Sequence, residues 1–185
     1  GSEMCIRDSY SRMLLQFVHT LADGVGNVES FVFGTRLTRV TRLLRSKDVD
    51  DAVALVSKQV LDWSGGTRIG NTIREFNVRW SRRVMSRGPV VLIISDGWDR
   101  GDPTLLSKEM ARLQRSCHRL IWLNPLLGNA RYQPLTQGMQ AALPYIDDFM
   151  PVHNLLSIEQ LGKTLATVGD IKRERKQRLS LPSKA

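Results

Sequence analysis

The 185-residue chain reads as a doubly wound α/β domain, a mostly parallel sheet flanked by helices on both faces. Three observations predict this. Short apolar runs alternate with segments of helical spacing through most of the length. The run Val90, Val91, Leu92, Ile93, Ile94 is apolar at every position, as in a parallel strand covered by helices on each side. That run stops at Asp96 and Gly97, where a central strand of such a sheet delivers its last side chain to the ligand crevice.

Each element has its own warrant. Tyr10 to Leu21 is expected to be an amphipathic helix, because Met13, Leu14, Phe17, Val18 and Leu21 share one face, and Gly24 and Gly26 end it. Val28 to Phe33, with β-branched and aromatic residues, suggests a strand. Gly34 turns the chain, and Leu37, Val40 and Leu43 continue toward a second, more exposed strand or turn. Asp50 to Trp63 is a helix with Val53, Val56, Val60 and Leu61 inward and Asp50 or Asp51 placed to cap it. A loop with Gly65, Gly66, Thr67 and Gly70 leads into a helix through Ile73, Phe76, Asn77 and Trp80 with a basic outer face. The strand Pro89 to Ser95 precedes a helix at Leu105 to Leu113, a strand at Arg119 to Leu123, a polar edge strand at Tyr145 to Pro151 and a last helix at Ile158 to Val168. No internal repeat is visible.

Composition narrows the functional classes. Hydrophobic residues make up 42% and charged residues 24%, so a packed core is the default rather than disorder. No apolar run reaches the ~18 residues of a membrane span, and no secretory signal opens the chain, so a cytoplasmic location is expected. Cys5 and Cys117 lack metal-type spacing and are read as free thiols. Of the net charge of +9, residues 172–185 contribute +5: Lys172, Arg173, Arg175, Lys176, Arg178 and Lys184 against Glu174. This basic end, within 169–185, is expected to be a disordered tail able to contact an acidic partner. Arg36, Arg39, Arg42 and Arg45, and Arg79, Arg82, Arg83 and Arg87, form two further basic groups. No helix-turn-helix, zinc-finger or aromatic stacking signature accompanies them, so they read as solvated surface and nucleic acid is not expected.

Asp96 stands out as an acid at the end of the most hydrophobic strand, placed to hold a hard cation such as magnesium, although a turn or helix-cap aspartate fits the same position. Thr67 stands among glycines, which let a backbone approach a ligand while the hydroxyl offers an oxygen; a simple interhelical turn has the same look. The loop lacks the lysine and the following Ser or Thr of a phosphate loop. His19, His118 and His153 are scattered, and no nucleophile elbow, dinucleotide fingerprint or paired Cys and His is present. A metal-dependent hydrolase or phosphoryl-transfer enzyme using Asp96 and Asp99 is the rival class.

The stretches YSRMLL (residues 10–15), FVFGTRLTRVTR (31–42), WSGGTRI (63–69), ISDGWDR (94–100) and RLIWLNP (119–125) together resemble the von Willebrand factor type A (VWA) domain of CoxE-like proteins. The resemblance covers about residues 10–168. It implies a magnesium or manganese ion at the top of the sheet, held by an Asp-x-Ser-x-Ser loop after the first strand, by a threonine matched at Thr67 and by an aspartate matched at Asp96. Gly66, Gly97, Trp98 and Asp99 fall on the surrounding partner surface. The first strand and its Asp-x-Ser-x-Ser motif have no counterpart, since residues 1–9 resemble translated adapter sequence; these are expected to be foreign, and the domain incomplete. The resemblance further implies a C-terminal piece of a non-enzymatic accessory factor. Such a factor would work with a MoxR-type AAA+ ATPase in maturing a molybdenum hydroxylase of the carbon monoxide dehydrogenase type. Metal binding by this chain is expected to be weak or absent.

Overall fold

The computed structural model describes residues 16–19, 28–45, 48–59, 66–85, 88–127, 133–134 and 136–151. The expected last helix, the basic tail, Cys5 and the segment 1–9 lie outside these residues, as does most of the expected first helix, of which residues 16–19 are helical.

A parallel sheet carries the domain, as the apolar runs predict. Strands β3 (Val90–Ile94), β4 (Arg119–Asn124) and β5 (Asp148–Pro151) lie in that order, all parallel, with β5 on the edge. Registers run from Val90 opposite Arg119 to Ile94 opposite Leu123, and from Ile121 opposite Asp148 to Asn124 opposite Pro151. Upstream, β1 (Phe31–Phe33) and β2 (Leu37–Arg39) form a separate antiparallel hairpin. Its register is pinned by Glu29, whose carboxylate accepts from Arg39 Nε (2.8 Å), Arg39 Nη2 (2.7 Å) and Thr41 Oγ1 (2.7 Å).

Side-chain alternation puts both sheets into the same two layers. Val90, Leu92 and Ile94 pack with Phe17, Ile121, Leu123 and Met150, on the side that residues 16–19 cover. Val91, Ile93, Leu120 and Trp122 face the other way, into the main core of Ile69, Ile73, Leu106, Met110, Leu113 and Met139. The hairpin repeats the pattern: Val32 belongs with Val18 and helix α1 (Val49–Gln59), and Phe33 packs on the main core. Burying each large aliphatic side chain contributes roughly 1.5–3 kcal/mol, so these layers dominate the stability. Helix α2 (Ile69–Glu75) packs on the core of the larger sheet, and Phe76, just beyond its end, meets Phe31 of the hairpin edge-on. Among the described residues β3 pairs only with β4, and no strand joins it to β1.

The helices refine the expectations. The cap of α1 is Asp48, not Asp50 or Asp51: Asp48 Oδ1 accepts from the backbone N–H of both (2.7 and 3.1 Å) and leaves them in the first turn, where their charge suits the helix dipole. Val56 is buried as expected and Val53 half-buried, whereas Ala52 takes the other fully buried position. After α2 the helix widens to a π-helical turn, Phe76–Trp80, before a short α3 (Ser81–Val84). The wide turn leaves Asn77 buried against the later helix that carries Glu109, where its Nδ2 donates to Glu109 O (3.0 Å) and Glu109 Oε2 (2.9 Å). Helix α4 (Pro103–Ser116) starts two residues before the expected Leu105, because Asp102 caps it and Pro103 suits its first turn. A helix α5 (Gln137–Ala142) and a 3₁₀ turn, Leu143–Tyr145, occupy a stretch that periodicity left unassigned, so the edge strand begins at Asp148 rather than Tyr145. Val40 and Leu43 likewise fall outside β2, Leu43 in a 3₁₀ turn. Cys117 is a free thiol, half-buried, and burial with the nearby Asp147 pushes its pKa up to about 11.

Candidate functional site

The carboxyl ends of β3 and β4, the start of α2 and the start of α5 converge on one loop face. The loop leaving β3 is a chain of local hydrogen bonds. Ser95 N donates to Leu123 O (3.1 Å), prolonging the ladder by one bond, and the buried Trp122 Nε1 donates to Ser95 O (2.8 Å). Gly97 N donates to Ser95 Oγ (3.1 Å), and Trp98 N to Asp96 Oδ1 (2.9 Å), so Asp96 closes an Asx turn over its own loop. Gly97 adopts φ +77°, which a residue with a Cβ resists, and α5 presses on it. Thr136 Oγ1 donates to Gly97 O (3.0 Å) and accepts from Met139 N (3.2 Å), capping α5 while holding the loop.

The loop before α2 is joined to this one from the other side. Arg100 N donates to Thr67 O (2.9 Å). Arg68 makes no side-chain cap for α2; instead Asp99 Oδ1, thirty-odd residues downstream, accepts from Ile69 N (2.8 Å) and from Gly101 N (3.0 Å). The second oxygen, Asp99 Oδ2, is buried and has no hydrogen-bond partner among the described residues. Gly66, at φ +80°, lies under the Arg100 side chain, and a Cβ there would stand 2.9 Å from Arg100 Cδ.

The loops that carry Thr67 and Asp96 therefore share one surface, with Thr67 and Asp96 both half-buried. Around them Gly66 and Gly97 supply the backbone turns, Asp99 cross-links the loops, and Trp98 is 66% exposed. The residues that sequence reasoning passed over are Asn124, Thr136 and Gly138. Asn124 is the last residue of β4, and Asp96 lies two residues beyond the end of β3. Asn124 is fully buried, accepts from Leu126 N (2.8 Å) and directs its amide at Asp96 O (3.4 Å). A polar residue closing an apolar strand was the available signal for it. Thr136 and Gly138 had no such pattern.

A hard cation takes about six oxygen ligands. Among the described residues no group of three or more His, Cys, Asp or Glu is placed to hold a metal, and Asp99 spends one carboxylate oxygen on backbone N–H groups. Thr67 and Asp96 alone do not make such a site, so no chemistry is routed through an ion here. No helix among the described residues is long and apolar enough to cross a membrane.

No curated protein and no solved structure matches the chain. The profile of VWA domain containing CoxE-like proteins matches residues 7–158, which spans the hairpin, all three parallel strands and both loops of the site. With a parallel sheet between two helical layers, and the loops of Thr67 and Asp96 joined at its carboxyl end, the chain belongs to the family of VWA domain containing CoxE-like proteins.

Proposed function

We propose that this chain is a non-catalytic protein-recognition module of a CoxE-like accessory factor, and that it binds its partner through the loop face at the carboxyl ends of β3 and β4. The observation that carries the reading is Trp98. A large aromatic side chain, 66% exposed, projects from a loop whose backbone is held by Asp96, Ser95, Thr136 and the Arg100 to Thr67 bond. An exposed tryptophan on a rigid loop loses little entropy on binding and is the residue type most often dominant in interfaces. Among the described residues of this face no nucleophile is paired with a base, and one oxygen of the Asp99 carboxylate is engaged in capping. The partners fitting the family are a MoxR-type AAA+ ATPase and a molybdenum hydroxylase of the carbon monoxide dehydrogenase type, whose active site the factor helps mature. Magnesium or manganese would belong to the family's complete site, where an Asp-x-Ser-x-Ser loop would hold it beside the positions of Thr67 and Asp96 and it would attract a partner's carboxylate. This chain, with Thr67 and Asp96 but no Asp-x-Ser-x-Ser, binds it weakly or not at all.

The test is calorimetry of the purified chain with a MoxR-type ATPase, then with magnesium and manganese. Trp98→Ala is expected to weaken partner binding by about thirtyfold, the effect of losing an interface anchor worth about 2 kcal/mol. Unchanged affinity in both Trp98→Ala and Asp96→Ala, with both variants folded, overturns the loop face as the recognition surface. Tight metal binding that Asp96→Ala abolishes refutes the weak-ion statement, and nucleotide turnover lost in the same variant would move the chain to the enzyme class.

A further inference from the structure

Two arginine groups that are far apart in the sequence meet on one face of the molecule. The guanidinium of Arg39, at the end of β2, lies 5.5 Å from the centroid of the Trp80 ring, and that of Arg83, on α3, lies 6.0 Å from the same centroid. Phe31 meets Trp80 edge-on at 5.3 Å, so the ring is fixed from the hairpin side. Val78, Arg79, Trp80, Arg82 and Arg83 line an open depression of about 600 Å³. Arg39 is paired with Glu29 (2.7 Å) and Arg79 with Glu75 (3.1 Å), whereas Arg82 and Arg83, both exposed, form no ion pair among the described residues. The patch therefore sets four guanidinium groups against two carboxylates. Trp80 is eleven residues beyond Ile69, about 16 Å along the helical axis, so the patch sits well away from the loop face.

We infer that this face docks an acidic, partly apolar segment of a protein partner. A guanidinium stacked on an aromatic ring is preorganised, and its fork matches a carboxylate in two parallel bonds. Val78, 60% exposed in the same depression, offers an apolar seat between the charges. A nucleic acid fits less well. Base stacking needs an open ring face, and guanidinium groups already lie over Trp80. The carboxylates of Glu29 and Glu75 would also repel an unbroken phosphate backbone, whereas a peptide can space its own charges to reach Arg82 and Arg83. The inference stands apart from the loop-face reading and does not need Trp98.

Fluorescence anisotropy with a labelled glutamate and leucine peptide, with polyuridylate as the competing class, tests it on the full chain. The pair of substitutions Arg82→Glu and Arg83→Glu is compared with Lys108→Glu and Arg115→Glu, the same charge change at exposed positions of α4. The peptide is expected to bind more weakly as salt rises, to protect residues 76–84 from hydrogen exchange, and to lose about tenfold in affinity in the patch variant against about twofold in the control. Arg82→Gln with Arg83→Gln gives an intermediate loss and guards against misfolding by charge reversal. Equal losses in patch and control variants, or no protection at 76–84, overturn the inference. Polyuridylate binding that exceeds the peptide's and vanishes in the patch variant replaces it with a nucleic-acid surface.

Discussion

Gly138→Ala separates helix propensity from packing, because the two predict opposite signs. Inside a helix, alanine is favoured over glycine by about 1 kcal/mol, so propensity alone predicts a gain. A Cβ at position 138 would lie 2.5 Å from Gly97 O and 2.9 Å from Asp99 Cβ. The first contact is backbone, in a loop already held at Gly97 by a left-handed φ and by the Thr136 bond, so the strain has no flexible side chain to absorb it. Overpacking of this kind costs about 1–3 kcal/mol, and loosening the Thr136 to Gly97 hydrogen bond costs about 1 more. The net is a destabilisation of roughly 1–3 kcal/mol. In urea unfolding the midpoint should fall by roughly 0.5–1.5 M with the slope unchanged. A midpoint that stays put or rises would refute the claim that α5 clamps the loop following β3.

Two further outcomes follow from the same geometry. Trp122→Phe removes the indole N–H that satisfies Ser95 O in a fully buried position, and thermal or urea unfolding should show a loss of about 2 kcal/mol; a loss below about 0.5 kcal/mol would mean water or a neighbour replaces the bond. For Glu29, burial pushes the carboxyl pKa up, but hydrogen bonds from Thr41 and Arg39 with the charges of Arg39 and Arg45 outweigh it and hold it below the ordinary 4.5. A carboxyl with a lower pKa folded than unfolded stabilises the fold above its unfolded value, and that contribution is lost as pH falls through the folded one. Stability should therefore drop less steeply in Glu29→Gln than in the parent between about pH 5 and about pH 2, and parallel curves would remove Glu29 from the acid response.

What could be read from the residues follows how local each cause is. Val90–Ile94, the Arg119 strand and the Leu105 helix were legible because an unbroken apolar run or a helical period is a property of neighbours. The cap of α1 slipped by two residues among three nearby acids, where only geometry singles out Asp48. α5 was missed because six residues containing Gly138 give almost no periodic signal. Within the site, Asp96 followed from its place at the strand end, while Thr67 came chiefly through resemblance. The role of Asp99 was not legible at all: it caps a helix that starts thirty residues earlier, a pairing no local pattern encodes. The meeting of Arg39 and Arg83 on Trp80 is hidden for the same reason.

Among the described residues no strand pairs the side of β3 away from β4, and that flank has a colloidal consequence. Ser95 N donates to Leu123 O of β4 and Pro89 O accepts from His118 N just before it, so by the alternation of a parallel ladder the N–H and C=O groups of Val90, Leu92 and Ile94 point away from β4. Those groups belong to five consecutive uncharged, mostly β-branched residues without proline, the composition that stacks most readily between identical chains. Pro89 and Asp96 bracket the run as natural gatekeepers, but they guard its ends and not its flank. Shelf life in concentrated solution is thus set by the competition between whatever strand closes that flank and the same flank of a neighbouring molecule.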